Sequence, residues 1–357
     1  MKKISSIFLV VCCLAMVSCG NNYKLNVKFA NHDFDGKKAY LTNYDTGDTI
    51  DSVSVLEKQL LIEGNVDTAF FARLLFEGNR LDLVVEPGDI IVEWGEKSPE
   101  TPLNKKFNAI VKQLDRFDIE WQHIAESLQR EEITEAQAQQ QEDERRANLL
   151  KTLFNNYLSN QDNVVGEWCF TQYVVEGDFT PSELDMILKK VPEHYRHLER
   201  VKKAVSCSEA KEKTCEGRPF VDFTVRGSKG STEALSQYAG DGVNYTLVYF
   251  WASWCISCRK EMEGPLSYLH EKYKDSGLRI VGVAVWDKPE DTKTAISEMS
   301  IPWHVMIGDH YMTLPTDLYG IEGIPYAILI APDGKIVDRG LNGDALIKAV
   351  EVLLEAK

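Results

Sequence analysis

The stretch "FWASWCISCRKE", residues 250–261, places Cys255 and Cys258 two residues apart behind Trp251 and Trp254. Three readings compete for such a pair: a redox centre, a metal clip, or two buried thiols. Cys255 follows the apolar run "TLVYFW", which reads as a strand, and a long helical pattern begins near Cys258. At the head of a helix, unpaired N–H groups and the helix dipole stabilise a thiolate. The thiolate is the attacking species in disulfide exchange, and a second cysteine one turn along is placed to attack the resulting mixed disulfide. A structural zinc site needs four ligands. Cys207 and Cys215 are too widely spaced for a zinc knuckle, and neither a nearby His nor the pair His194 and His197 completes a set, so no metal is expected.

Outward from this pair, residues 214–357 alternate between two periodicities. "FVDFTV", "TLVYFW", "RIVGVAV", "WHVMIG", "YAILIA" and "KIVDRG" read as strands. Helical patterns fall at 233–238, 258–274, 289–299, 313–319 and 344–354. Near-continuous Val and Ile runs between helices predict a central sheet covered on both faces. Residues 98–213 read as helical, with Phe107, Ile110, Val111, Leu114, Phe117 and Trp121 forming one apolar stripe and "QREEITEAQAQQQEDERRANLL" a solvated helix. Residues 19–97 carry seven short runs of period two separated by turn residues, which predicts an antiparallel sandwich or barrel.

Taken together, "VYFWASWCISCRKE" and "EGIPYAILIAPDGKIV" resemble the thioredoxin superfamily, and within it the periplasmic TlpA/ResA-like thiol-disulfide oxidoreductases. The resemblance covers 214–357 and implies an α/β thioredoxin fold with a central mixed sheet and helices on both faces. It makes Cys255 the nucleophile, Cys258 the resolving cysteine and Trp254 the tryptophan that shields them. Pro325 matches the family's cis-proline, and Ile324 before it the residue that pairs with an incoming polypeptide. Tyr249 stands where thioredoxin keeps a buried Asp, so that proton relay is absent. Glu261 matches the glutamate of the TlpA/ResA-like branch and is placed to take a proton from Cys258. Where that branch has a helix-kinking proline two residues later, this chain has Glu263, with Pro265 following. Ile256-Ser257 brings no His between the cysteines, which points to a reductant. The N-terminal and middle regions resemble those of lipid-anchored thioredoxin-like proteins of Gram-negative gut bacteria.

The first residues, "MKKISSIFLVVCCLAMVSC", have the charged, apolar and small-residue parts of a secretory signal. Ending at Cys19, they resemble a bacterial lipoprotein signal, with 1–18 removed and Cys19 carrying lipid. The remaining cysteines are Cys169, Cys207 and Cys215, read either as small buried hydrophobes or with Cys207 and Cys215 joined. The chain has 357 residues, 44% of them apolar, and a formal charge of −15. This balance fits a soluble multi-domain protein and excludes nucleic acid as a partner. The expected function is reduction of protein disulfides in the cell envelope, with no cofactor, dithiol and disulfide clients, and an upstream membrane electron donor. The alternatives are a thiol peroxidase, against which the Ser253-Trp254 context counts, and an envelope scaffold with an auxiliary redox domain.

Overall fold

The computed structural model describes residues 21–96, 98–226, 232–309 and 311–355. The signal segment and Cys19 lie outside the described residues. The contacts divide the chain into two compact units, one reaching to Gly177 and including Leu198–Arg200, the other formed by Asp178–His197 and Val201–Lys357. The helices expected over 98–213 are therefore shared between the two.

In the first unit the seven expected strands all form: β1 (Asn22–Lys28), β2 (Lys38–Asn43), β3 (Thr49–Ser54), β4 (Gln59–Asn65), β5 (Phe70–Phe76), β6 (Asn79–Val85) and β7 (Gly88–Glu93). They make two sheets, β4-β1-β7 and β3-β2-β5-β6. Alternation buries Tyr23, Leu25 and Val27 of β1, and one core joins Leu25, Ile62 and Ile90 of the first sheet to Leu41, Leu74 and Leu83 of the second. The result is a sandwich, but not a purely antiparallel one, because β1 and β7 run parallel with Leu25 opposite Ile90. These are the first and last strands of the unit, so no hairpin dictates their relative direction.

Three helices complete this unit: α1 (Pro102–Gln129), α2 (Glu135–Leu158) and α3 (Val164–Glu176). The buried carboxylate of Glu86 accepts from the Thr101 hydroxyl at 2.5 Å and the Leu103 N–H at 2.9 Å, which caps α1. The Gln-rich stretch is not one helix. Glu131 adopts a left-handed backbone (φ +56°), and Thr134 starts α2 with a capping box to Gln137. The apolar stripe of α1 stops at Phe117, and Trp121 is exposed.

The second unit opens with α4 (Pro181–Leu188), a 3₁₀ turn (Glu193–His197) and the part of α5 (Glu199–Lys213) from Val201 onward. A hairpin of β8 (Thr224–Arg226) and β9 (Thr232–Ala234) follows. The helix expected over 233–238 is only a 3₁₀ turn, Leu235–Gln237, because Glu233 is taken into the β8–β9 pairing. The main sheet is formed by β10 (Tyr245–Trp251), β11 (Leu278–Ala284), β12 (His304–Ile307), β13 (Tyr326–Ile330) and β14 (Ile336–Arg339). Its order is β12-β11-β10-β13-β14, with β10, β11 and β12 parallel and β13 and β14 antiparallel to their neighbours.

Both faces of this sheet are covered, as the continuous apolar runs require. On one face Leu247, Tyr249 and Trp251 pack with Met262, Leu266 and Leu269 of the long helical segment after β10, and with Leu346 and Val350 of the last helix, Gly343–Glu355. On the other, Val248, Phe250, Val281 and Met306 pack with Phe223, Leu235 and Tyr319. The segment after β10 comprises α6 (Ile256–Glu261), a π turn (Met262–Leu266) and α7 (Ser267–Tyr273). Pro265 has no N–H to give and its ring crowds the preceding turn, so the helix widens there. The hydroxyl of Ser267 takes up the Met262 carbonyl at 2.7 Å. The remaining helices are α8 (Pro289–Glu298), α9 (Leu314–Tyr319) and α10 (Gly343–Glu355). Among the described residues no helix is long and apolar enough to cross a membrane.

Candidate active site

The buried strand β10 ends at Trp251, and the chain turns through Ala252, whose carbonyl accepts from the Cys255 N–H at 3.1 Å. Cys255 is the N-cap of α6. Its sulfur accepts from the Cys258 N–H at 3.1 Å, and its carbonyl from the Arg259 N–H at 3.1 Å. The two cysteines form a disulfide with Cα atoms 5.2 Å apart. They differ in access: Cys255 is 5% exposed and Cys258 fully buried. What exposure the pair retains therefore belongs to Cys255. Ser257 Oγ lies 3.4 Å from that sulfur and, against a disulfide, is the partner with a proton to donate. Trp254 and Ile256 on either side of Cys255 are exposed, at 59% and 73%.

Glu261 is buried one turn beyond Cys258. Its Oε2 accepts from the Tyr249 hydroxyl at 2.8 Å and its Oε1 from the Gly343 N–H at 2.6 Å. Burial, with the Glu261 charge adding to it, raises the Tyr249 phenol well above its ordinary value, so it remains a donor. The Tyr249 hydroxyl is also 3.2 Å from the Cys258 carbonyl. The residue that replaces an acid in this position thus touches both the buried carboxylate and the turn carrying the second cysteine. The sequence shows Tyr249 only as a missing relay, since nothing local links positions 249 and 261.

The Ile324–Pro325 peptide bond is cis. β13 pairs with β10 so that Tyr326 faces Phe250. Pro325 and Ile324 directly precede this paired segment, at the end of the sheet where β10 leads into the turn bearing Cys255. Ile324 is half-buried and packs against the cluster that contains both cysteines. A residue not foreseen is Asp287, buried just after β11 and bonded to both the N–H and hydroxyl of Ser253. The Pro289 helix start marks its neighbourhood, but no pattern reveals a contact across 34 residues.

The other described thiols are free. Burial pushes Cys169 up to about 12 and, with Glu322 nearby, Cys207 up to about 11. Cys207 donates to the Gly320 carbonyl at 3.4 Å. A Cys207–Cys215 bridge does not form: their separation of eight positions, mostly along α5, spans roughly 12 Å, beyond disulfide reach. Cys215 is exposed, which corrects the reading of three buried hydrophobes. Among the described residues no cluster of three or more metal-ligating side chains occurs.

A mixed sheet covered on both faces, a Cys-x-x-Cys pair capping the helix after its central strand, and a cis-proline just before the neighbouring strand together define the thioredoxin-like class. The AhpC/TSA family profile matches residues 217–339. The thiol-disulfide oxidoreductase ResA of Bacillus thuringiensis (strain Al Hakam) is 30% identical over 129 residues, 36% of this chain and 71% of that protein. The thiol:disulfide interchange protein HelX of Rhodobacter capsulatus is 31% identical over 139 residues, 38% of this chain and 67% of that protein. The thioredoxin domain of a thiol-disulfide oxidoreductase from Bacteroides vulgatus is 33% identical, covering 39% of this chain and 98% of that one, with a TM-score of 0.35. The chain belongs to the thiol-disulfide oxidoreductases of thioredoxin fold, the family of ResA and HelX.

Proposed function

We propose that this protein reduces disulfides of client proteins on the outer side of the cytoplasmic membrane, held to the envelope by lipid on Cys19. In the reduced form the Cys255 thiolate attacks one sulfur of a client disulfide. That bond breaks, the client's other sulfur leaves as thiolate, and a mixed disulfide joins the client to Cys255. The Cys258 thiol then gives its proton to Glu261 and attacks the Cys255 sulfur, which releases the second client thiolate. The client has gained two electrons and the protein ends as the Cys255–Cys258 disulfide. A membrane electron donor returns it to the dithiol.

The observation that carries this reading is the unequal burial of the two cysteines of one disulfide, a small exposure of Cys255 against none of Cys258. It supports reading Cys255 as the attacking and Cys258 as the resolving cysteine. The Cys258 N–H at 3.1 Å from the Cys255 sulfur supports thiolate formation there. Ile324, which packs against the cluster containing both cysteines, is the residue whose backbone pairs with an extended client in this reading. Ile256-Ser257, which supplies no imidazolium to favour the reduced form, supports the reducing direction. Insulin reduction with a dithiol donor tests the assignment: Cys255→Ser abolishes turnover, and turnover retained in that variant overturns it.

A further inference from the structure

Asp287 is a buried carboxylate with four hydrogen bonds. It accepts from the Ser253 N–H at 2.6 Å, the Ser253 hydroxyl at 3.0 Å, the Thr292 hydroxyl at 2.9 Å and the Lys288 N–H at 2.8 Å. Beside it, Trp286 has a left-handed backbone (φ +54°), uncommon for so bulky a residue, and its carbonyl accepts the indole N–H of Trp254 at 3.0 Å. The pair is anchored from behind, since the Tyr311 N–H donates to the Asp287 carbonyl at 2.9 Å and the Trp286 N–H to the Met312 carbonyl at 3.2 Å. Two consecutive residues after β11 thus hold the two consecutive residues that lead into Cys255.

We propose that Asp287 is a positioning residue for thiol-disulfide exchange. It fixes Ser253 directly, and Trp254 through the adjoining Trp286 carbonyl, and so sets the line along which a client sulfur meets the sulfur of Cys255. Holding reacting atoms in line supplies a large share of such a rate, and a displacement of about 1 Å can cost on the order of 10²-fold. The bonds to Lys288 and Thr292 serve the start of α8. Those to Ser253 do nothing for that helix, so a capping role accounts for only half of what the carboxylate does. A buried carboxylate is costly unless its oxygens are filled, and Ser253 supplies two of the four donors. This inference rests on Cys255 being the attacking sulfur.

The test uses the full chain and two disulfide substrates, insulin and the small aromatic disulfide DTNB, with thermal unfolding followed in parallel. Asp287→Asn keeps the volume but replaces one accepting oxygen by an amide that cannot accept from Ser253. It is expected to lower kcat/KM for insulin about tenfold or more, with a smaller loss for DTNB, which approaches without an extended chain. Thr292→Val removes one bond at the α8 side and is expected to leave both rates within about twofold. Ser253→Ala, which keeps the N–H bond, is expected to fall between the two and serves if Asp287→Asn does not fold. Unchanged insulin kinetics in Asp287→Asn or in Ser253→Ala, with only a lower unfolding temperature, overturns the proposal. So does an equal loss in Thr292→Val. Cys255→Ser in the same assay separates the two claims: if it stays active the attacking sulfur is misassigned, whereas an inactive Cys255→Ser beside unaltered Asp287→Asn rejects the positioning role alone.

Discussion

Two side chains carry tests at the residue scale. In the proposed mechanism Glu261 accepts the Cys258 proton; its two oxygens accept from the Tyr249 hydroxyl and the Gly343 N–H. Glu261→Gln should slow release of the mixed disulfide by about 10²-fold and leave the first attack unchanged, as read by rapid-quench of each step. Cys169 gives a test of stability. Its thiol is held up to about 12 by burial, so its contribution is full below the ordinary thiol range near 9 and is lost as pH rises from there through about 12. Unfolding by urea should show stability falling above pH 9 less steeply in Cys169→Ala than in the parent, by up to about 1.4 kcal/mol per pH unit. The cysteine pair was legible in its spacing at a strand-to-helix turn, and Glu261 was read only through the resemblance to the TlpA/ResA-like branch. Tyr249 and Asp287 were not, because their partners lie twelve and 34 residues away and meet them only once the chain has folded.

Elements were read most reliably where burial leaves little choice. Strands β10, β11 and β13 are apolar on both faces because helices and the β8–β9 hairpin cover them, and that pattern has few other readings. Where one proline or one cap decides, the pattern was weaker: Pro265 opens a π turn inside an otherwise continuous helix, and Thr134 with Gln137 splits a stretch whose polarity looked uniform. Gly320 illustrates an element held by a single small residue. It ends α9 at φ +62°, and an added Cβ would stand 2.5 Å from the Cys207 carbonyl on α5. Gly320→Ala should destabilise the protein by on the order of 2 kcal/mol in urea unfolding. A change near zero would mean that α5 and the loop before Pro325 move apart freely.

For the whole molecule, the sandwich and the redox unit were both visible in outline, since a period of two and an alternation of strands with helices are whole-segment signals. The parallel pairing of β1 with β7 was not, because it joins the two ends of a unit and leaves no local mark. The assignment of lipid to Cys19 belongs to this scale as well. The chain is strongly acidic, so lipid and not charge would hold it at an anionic bilayer. Cys19→Ala should therefore move the protein from the membrane to the soluble fraction of expressing cells, while high salt should not extract the parent. The central claim is that Cys255 attacks and Cys258 resolves. It is met most directly by mass spectrometry of the Cys258→Ser variant after reaction with a client disulfide. The account predicts a stable mixed disulfide mapped to Cys255; a client joined instead to Cys215, or full turnover with no trapped species, would contradict it.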